Sequence, residues 1–309
     1  MARLFGYVPN PGATRRFAEN LKFPTLSKGG PLLTVDEKKD VVLYPALELV
    51  SPKYSRAAQG IGSCVGHGFS ACVDLISATQ IAVHGTKEDW PGRCLEAALY
   101  AFSRVEVAGV KRAGLSDGSY GGACAAAVTK WGCLHYQVDY SGLVFSEYSP
   151  SREKTWGDTG VPDSLEKAAK LRRVQTCSLV ETFDEFAAAC QSGYATSICS
   201  NRGFTMTRDS DGHCSPRGSW SHCLCAMGVK FGKRPGALIW NSWGKSNSGP
   251  HYSGIPTRPD DMPEFFKGST FWADADVVEK MLGAGDSWAL SNYDGFPSRR
   301  MPNWGGKIL

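Results

Sequence analysis

From Val65 onward the apolar side chains Val65, Phe69, Cys72, Val73, Ile76 and Val83 recur at i, i+4, i+7, i+8, i+11 and i+18. That is the stripe of an amphipathic helix, and the spacing predicts one that begins at or beside Cys64. A second helical pattern runs through CLEAALYAFSRVEV (94–107), with Leu95, Ala98, Leu99 and Phe102 on one face, and a third through GGACAAAVTKWG (121–132). The period then changes. In TFDEFAAACQSG, Thr182 is placed to cap a helix with Glu185 three positions on, and Gly193 to stop it. Beyond it, YATSICS, HCLCAMGVKF and GALIWNSW are short β-prone runs bounded by Gly, Pro, Asn and Arg, and ADADVVEKMLG reads as a last short helix. Helices first and strands afterwards predict an α+β fold.

Punctuation divides the chain. Residues 1–40 are rich in Pro, Gly and charge (VPNPGATRR, LSKGGP, DEKKD) and read as an extended N-terminal arm lying over a surface. A helical lobe over 41–150 and a β-rich lobe over 151–285 meet near the polar stretch SEYSPSREKTWGDTGVPDS, and 286–309 form a tail with Trp, Pro and Gly. No internal repeat is evident. At 309 residues, 42% of them hydrophobic, the chain has enough apolar side chains for a large core. Its 34 basic and 30 acidic residues leave a formal charge of only +4, too balanced to expect nucleic acid or a membrane surface as a partner. No apolar run reaches the roughly 18 residues of a membrane span, and the N-terminus lacks a signal-peptide core, so a non-exported chain is expected. Eleven cysteines, an odd number without the spacing of a stapled domain, fit reduced thiols in a cytosol-like compartment, with some pairing left open.

Candidate chemistry starts at the first helix. In QGIGSCVGHGFSA (59–71), Cys64 stands where unpaired first-turn amides favour a thiolate, although cysteine is also among the commonest buried residues. Downstream, His222 opens one β run and Asn241 ends the next, so antiparallel pairing brings the two together at one edge of the sheet. A thiolate nucleophile needs an imidazole to hold its proton and a third group to orient the ring, which an asparagine amide oxygen can supply.

This constellation resembles the papain family of cysteine peptidases. The family's nucleophile motif is matched by Gln59, Gly60, Gly62, Ser63, Cys64, Phe69, Ser70 and Ala71, its histidine strand by His222 through Gly228, and its Asn-Ser-Trp-Gly signature by Asn241, Ser242, Trp243 and Gly244. DGSYGG (117–122) resembles the glycine-rich segment that lines the substrate cleft. The resemblance implies a helical lobe packed on a β-sheet or barrel-rich lobe with the site between them, and hydrolysis of a peptide or protein substrate through a thioester, without metal or cofactor. It assigns Cys64 as nucleophile, His222 as acid and base, Asn241 as its orienting group, and Gln59 with the Cys64 amide as the oxyanion hole. Ser63, Gly121, Gly122 and Trp243 become substrate contacts, with Trp243 also shielding the His222–Asn241 hydrogen bond; a plain turn at the two glycines and ordinary packing of Trp243 and His222 are the alternatives.

Several positions depart from the family. The Gln59–Cys64 spacing is one residue short, Val65 replaces the usual tryptophan, and Cys223 replaces a small residue after the histidine. Neither end of a bridge that often ties the oxyanion loop to the glycine-rich segment is present, with Ser119 at one of its positions. Only 63 residues precede Cys64, so no large propeptide is expected. His213, Cys214, His222, Cys223 and Cys225 offer a rival zinc set, but with neither C-x2-C nor H-x3-H spacing. His67, His84, His135 and His251 carry no motif. A second class of function uses the same body as a structural or assembly subunit, tied into a larger particle through VPNPGATRR and PSRRMPNWGG.

Overall fold

The computed structural model describes residues 5–29, 34–110 and 116–304. Helices α1 (Pro11–Glu19), α2 (Leu26–Gly29) and α3 (Tyr44–Val50) precede α4 (Cys64–Ala82), which begins at the residue the pattern predicts. Next come α5 (Glu96–Ala101) and α6 (Gly121–Ala126), which run on through the wider turns of Phe102–Val107 and Ala127–Trp131, then α7 (Pro150–Thr159) and α8 (Asp163–Lys170). Helices α9 (Phe183–Gln191), α10 (Glu264–Ser269) and α11 (Ala275–Leu282) flank the sheet. The strands are β1 (Val41–Val42), β2 (Thr176–Leu179), β3 (Thr196–Phe204), β4 (Pro216–Lys230), β5 (Gly236–Trp240), β6 (Thr270–Asp274) and β7 (Trp288–Ser291). They pair antiparallel in the order β2-β7-β3-β4-β5-β6, with β1 added against β4. The fold is α+β, as predicted.

Helix α4 is more than amphipathic: every residue except Ser77, Ile81 and Ala82 is buried, because α3 and α5 cover one side and β4 the other. Glycines set the spacing of its first turns. A Cβ on Gly66 would stand 2.9 Å from the Glu96 carbonyl oxygen of α5, and one on Gly68 would stand 2.8 Å from the Cys223 sulfur of β4. The carboxylate buried in the helix is paired, as the cost of desolvation requires. Asp74 accepts from the Tyr54 hydroxyl (2.6 Å), the Cys94 amide (2.7 Å) and Arg56 (3.2 Å), while burial still lifts its pKa to about 6.

Two sequence expectations change. The arm is not extended throughout: Asn10 caps α1 by accepting from the Ala13 amide at 3.2 Å, and Pro11 supplies the fixed φ suited to a first helical residue. The tail, read only as a Trp-, Pro- and Gly-containing segment, holds a strand, since β7 inserts between β2 and β3 and pairs with both. All eleven cysteines are free and buried. Among the described residues no helix is long and apolar enough to cross a membrane.

Asp286, just before β7, binds these peripheral pieces to the helical lobe. Its carboxylate accepts from the Gly121 amide (2.8 Å) and Gly122 amide (2.7 Å) at the start of α6, from the Thr14 hydroxyl (3.1 Å) and from the Trp288 indole (3.1 Å). Asp286→Ala leaves four donors without this acceptor and should lower stability by about 3 kcal/mol, read as a fall in the urea midpoint without a change in slope. An unchanged midpoint would show that water serves these donors as well.

Candidate active site

Cys64 is the first residue of α4 and is completely buried. Ser63 precedes it as the N-cap residue, with no side-chain capping bond, and its buried hydroxyl has no partner among the described residues. The thiol lies against the backbone amides of Cys223, Gly6 and Val65. Strand β4 carries His222 and β5 leads into Asn241; the Cys225↔Trp240 register brings the two side chains together. The meeting point is midway along β4 and just past the end of β5, both interior strands, not at an edge of the sheet.

His222 Nε2 lies 2.9 Å from Asn241 Oδ1. An amide oxygen only accepts, so Nε2 carries the proton and Nδ1 is the basic nitrogen in the neutral ring. Nδ1 makes no hydrogen bond, to Cys64 or to any other described residue. Trp243 stacks on the imidazole with ring centres 4.4 Å apart and planes at 28°, covering the His222–Asn241 contact.

The approach loop is tied to the Asn-Ser-Trp-Gly segment. The Gln59 amide donates to the Ser242 carbonyl at 2.8 Å, Ser242 Oγ donates to Gln59 Oε1, and Gln59 Nε2 donates to the Ile61 carbonyl at 3.0 Å. The two glycines assigned to the cleft wall are placed elsewhere. The amides of Gly121 and Gly122 are taken by Asp286, and a Cβ on either would collide with Asp286 or Thr14. Helix α6 has already begun at Gly121, so the extended backbone that faces the cleft lies earlier, at Ser119.

What faces Ser119 is the chain's own N-terminal arm. Gly6 and Tyr7 amides donate to the Ser221 carbonyl at 3.2 and 3.1 Å, the Val8 amide donates to the Ser119 carbonyl at 2.8 Å, and the Ser119 amide donates to the Gly6 carbonyl at 2.9 Å. Residues 6–8 thus bridge the wall segment and the residue before His222, and the Phe5 ring stands edge-on to Trp243 at 5.8 Å. Contact is close enough that a Cβ on Gly6 would sit 1.8 Å from the Gly62 carbonyl oxygen. The sequence predicts an arm over a surface but carries no periodicity that would reveal which surface. No sequence motif marks Phe5–Val8 as the segment that meets Ser119 and Ser221.

Burial governs the titration of the site. It raises the Cys64 thiol far above the usual range, outweighing the neighbouring amides that favour thiolate at the helix start. It lowers His222 to about 4, opposed by the Asn241 hydrogen bond and reinforced by His67. With the arm in place, both groups are neutral at pH 7. The rival metal ligands disperse: Cys223 lies 3.0 Å from Cys199, Cys225 lies 3.4 Å from Cys72, Cys214 accepts from Asn247, and His213 points to Asp274. No three His, Cys, Asp or Glu side chains among the described residues form a group able to hold a metal ion.

Comparison with family models and with curated sequences finds no match. Solved structures do match. Xylellain, a cysteine protease from Xylella fastidiosa, is 14% identical over 94% of this chain and 93% of its own, with a TM-score of 0.52. Digestive procathepsin L 3 of Tenebrio molitor larval midgut is 14% identical over 94% of this chain and 83% of its own, with a TM-score of 0.49. Bromelain protease from Ananas comosus is 13% identical over 83% of this chain and 99% of its own, with a TM-score of 0.43. At 14% identity the likeness to xylellain speaks to the backbone alone, and by it the chain has a papain-like fold.

Proposed function

We propose that the protein is a papain-like cysteine peptidase whose nucleophile is Cys64. One observation carries this reading: a histidine whose Nε2 is held by Asn241 at 2.9 Å beneath Trp243, with Nδ1 unpartnered, on the strand that crosses the start of the Cys64 helix. In the proposed reaction, the Cys64 sulfur bonds to the peptide carbonyl carbon while its proton passes to His222 Nδ1. The C–N bond then breaks as His222 returns the proton to the leaving amine. Water, deprotonated by the same ring, cleaves the thioester and frees Cys64. Gln59 Nε2 and the Cys64 amide serve the oxyanion, and Ser63 belongs to the same approach loop. No cofactor or metal takes part in this scheme. Eleven free cysteines fit residence in a reducing compartment.

A complete burial of Cys64 under the arm is the observation on the side of the second reading, a papain-like body that serves as an assembly subunit without turnover. Peptide-library cleavage separates the two. Wild type should cleave and Cys64→Ala should not, with the variant's melting temperature unchanged. A library left intact by the wild type, together with equal labelling of all cysteines by an electrophilic peptide, would favour the subunit. Gln59→Ala should lower kcat by about 10²–10³-fold, the cost of one oxyanion donor; a loss under about fivefold would place Gln59 outside the hole.

The arm predicts a pH signature. Only thiolate is alkylated, so burial that raises the Cys64 pKa holds its reaction with iodoacetamide slow at neutral pH and lets it rise only in strong alkali. A side chain at residue 6 cannot pass the Gly62 carbonyl, so Gly6→Val should lift the arm, hydrate the site and move the alkylation midpoint downward. Each pH unit of that shift raises the thiolate fraction at pH 7 about tenfold. The rate profile of Cys64 alkylation against pH for both proteins tests this, and superimposable profiles would show that the arm does not control access.

A further inference from the structure

Behind the approach loop lies a chain of polar groups, buried at Glu153 and His67 and open at Gly60, that the catalytic scheme does not use. The Gly60 amide donates to the Tyr148 hydroxyl at 2.6 Å, and that hydroxyl donates to Glu153 Oε2 at 2.6 Å. The other carboxylate oxygen, Glu153 Oε1, faces His67 Nε2 at 3.3 Å, with Glu153 and His67 both almost wholly buried. Burial and the Glu153 charge both push the Tyr148 pKa upward, so the phenol keeps its proton and donates it to the carboxylate. His67 sits on α4 three residues after Cys64, and its ring meets the Tyr148 ring edge-on at 5.5 Å. From the nucleophile's helix the path runs through a 3.3 Å contact, not a hydrogen bond, between His67 and Glu153, then by hydrogen bonds through Tyr148 to Gly60 and back through the loop to Cys64.

Gly60 follows Gln59, and its amide fixes the peptide plane from which the Gln59 side chain departs. Its own Cα is pressed on Pro150, whose Cγ would lie 2.6 Å from any added Cβ. A second tether reaches the same helix, α7: the Gly62 amide donates to Asp117 Oδ2 at 3.2 Å, and Asp117 pairs with Lys154 at 3.1 Å. No covalent bond holds this loop, since every cysteine is free. A charge-assisted chain can supply the rigidity instead, because a hydroxyl that donates to a buried carboxylate becomes a fixed acceptor for the amide behind it.

We propose that Tyr148, Glu153 and His67 are positioning residues that hold the Gln59 loop in register with the Cys64 amide, so that both donors address one oxyanion. The inference rests on the peptidase reading above. Tyr148 is its sharpest test, because Tyr148→Phe keeps the ring and removes only the atom that Gly60 donates to.

Two reagents distinguish the oxyanion loop from the nucleophile. Iodoacetamide alkylates sulfur by displacing iodide and builds no oxyanion. A peptide aldehyde takes the sulfur at its carbonyl carbon, the π pair moves to oxygen, and the resulting hemithioacetal oxygen occupies the hole. In Tyr148→Phe, kcat for a peptide substrate and affinity for the aldehyde should each fall about tenfold or more, the scale of weakening one donor's aim, with KM and the iodoacetamide rate within twofold of wild type. Glu153→Gln, which leaves the tyrosine in place, should lose at least about threefold in aldehyde affinity and keeps the test open if Tyr148→Phe folds poorly. Unchanged aldehyde affinity in folded Tyr148→Phe overturns the inference while the peptidase reading stands. A parallel fall in the iodoacetamide rate also overturns it, by placing the effect on Cys64. An aldehyde that binds neither the wild type nor Gly6→Val, in which the arm is lifted, overturns the peptidase reading and this inference with it.

Discussion

The thinness of helix α4 at its first turns is the constraint on which the site depends. Gly66 and Gly68 let α5 and β4 approach to distances that a methyl group would forbid, and β4 is the strand that carries His222. Glycine inside a helix costs about 1 kcal/mol relative to alanine. Here that cost is offset by packing, since α4 is buried on almost every side and draws its stability from neighbours rather than from propensity. The same closeness that brings an imidazole-bearing strand to the thiol also strips water from both. Burial at both residues thus holds the Cys64 thiol and the His222 imidazole uncharged.

Much of the site could be read from the sequence because it is encoded locally. The start of α4 follows from the apolar spacing after Cys64, and the meeting of His222 with Asn241 follows from two consecutive strands joined closely enough to pair. The Thr182 cap is present as well, its hydroxyl accepting from the Glu185 amide at 3.2 Å, although the Glu185 carboxylate reaches back to the Glu181 amide instead of closing the box.

What could not be read is long-range. Nothing in GGACAAAV distinguishes glycines that line a cleft from glycines that start a helix over an acceptor 165 residues away in the chain, and Asp286 decides for the latter. Strand β7 lies in a short tail whose composition suggests loop, and it becomes a strand because β2 and β3 leave it a place between them. His67 carries no motif because its partners, Glu153 and Tyr148, come from another helix and the loop before it. The arm in the cleft is the extreme case: its polar and proline-rich sequence reports low self-structure but not a docking site.

The bonds between the arm and the cleft have a consequence for selectivity. All four are main chain to main chain, so they read direction and extension but no side chain. A segment of the same chain competes for its site at an effective concentration of up to roughly millimolar order. On the peptidase reading, an incoming peptide that forms the same four bonds only exchanges like for like, and at micromolar abundance it loses by mass action. Occupancy must then be decided by whatever else the newcomer contributes, so a binding surface that is indiscriminate in its backbone contacts becomes discriminating through the presence of an internal rival.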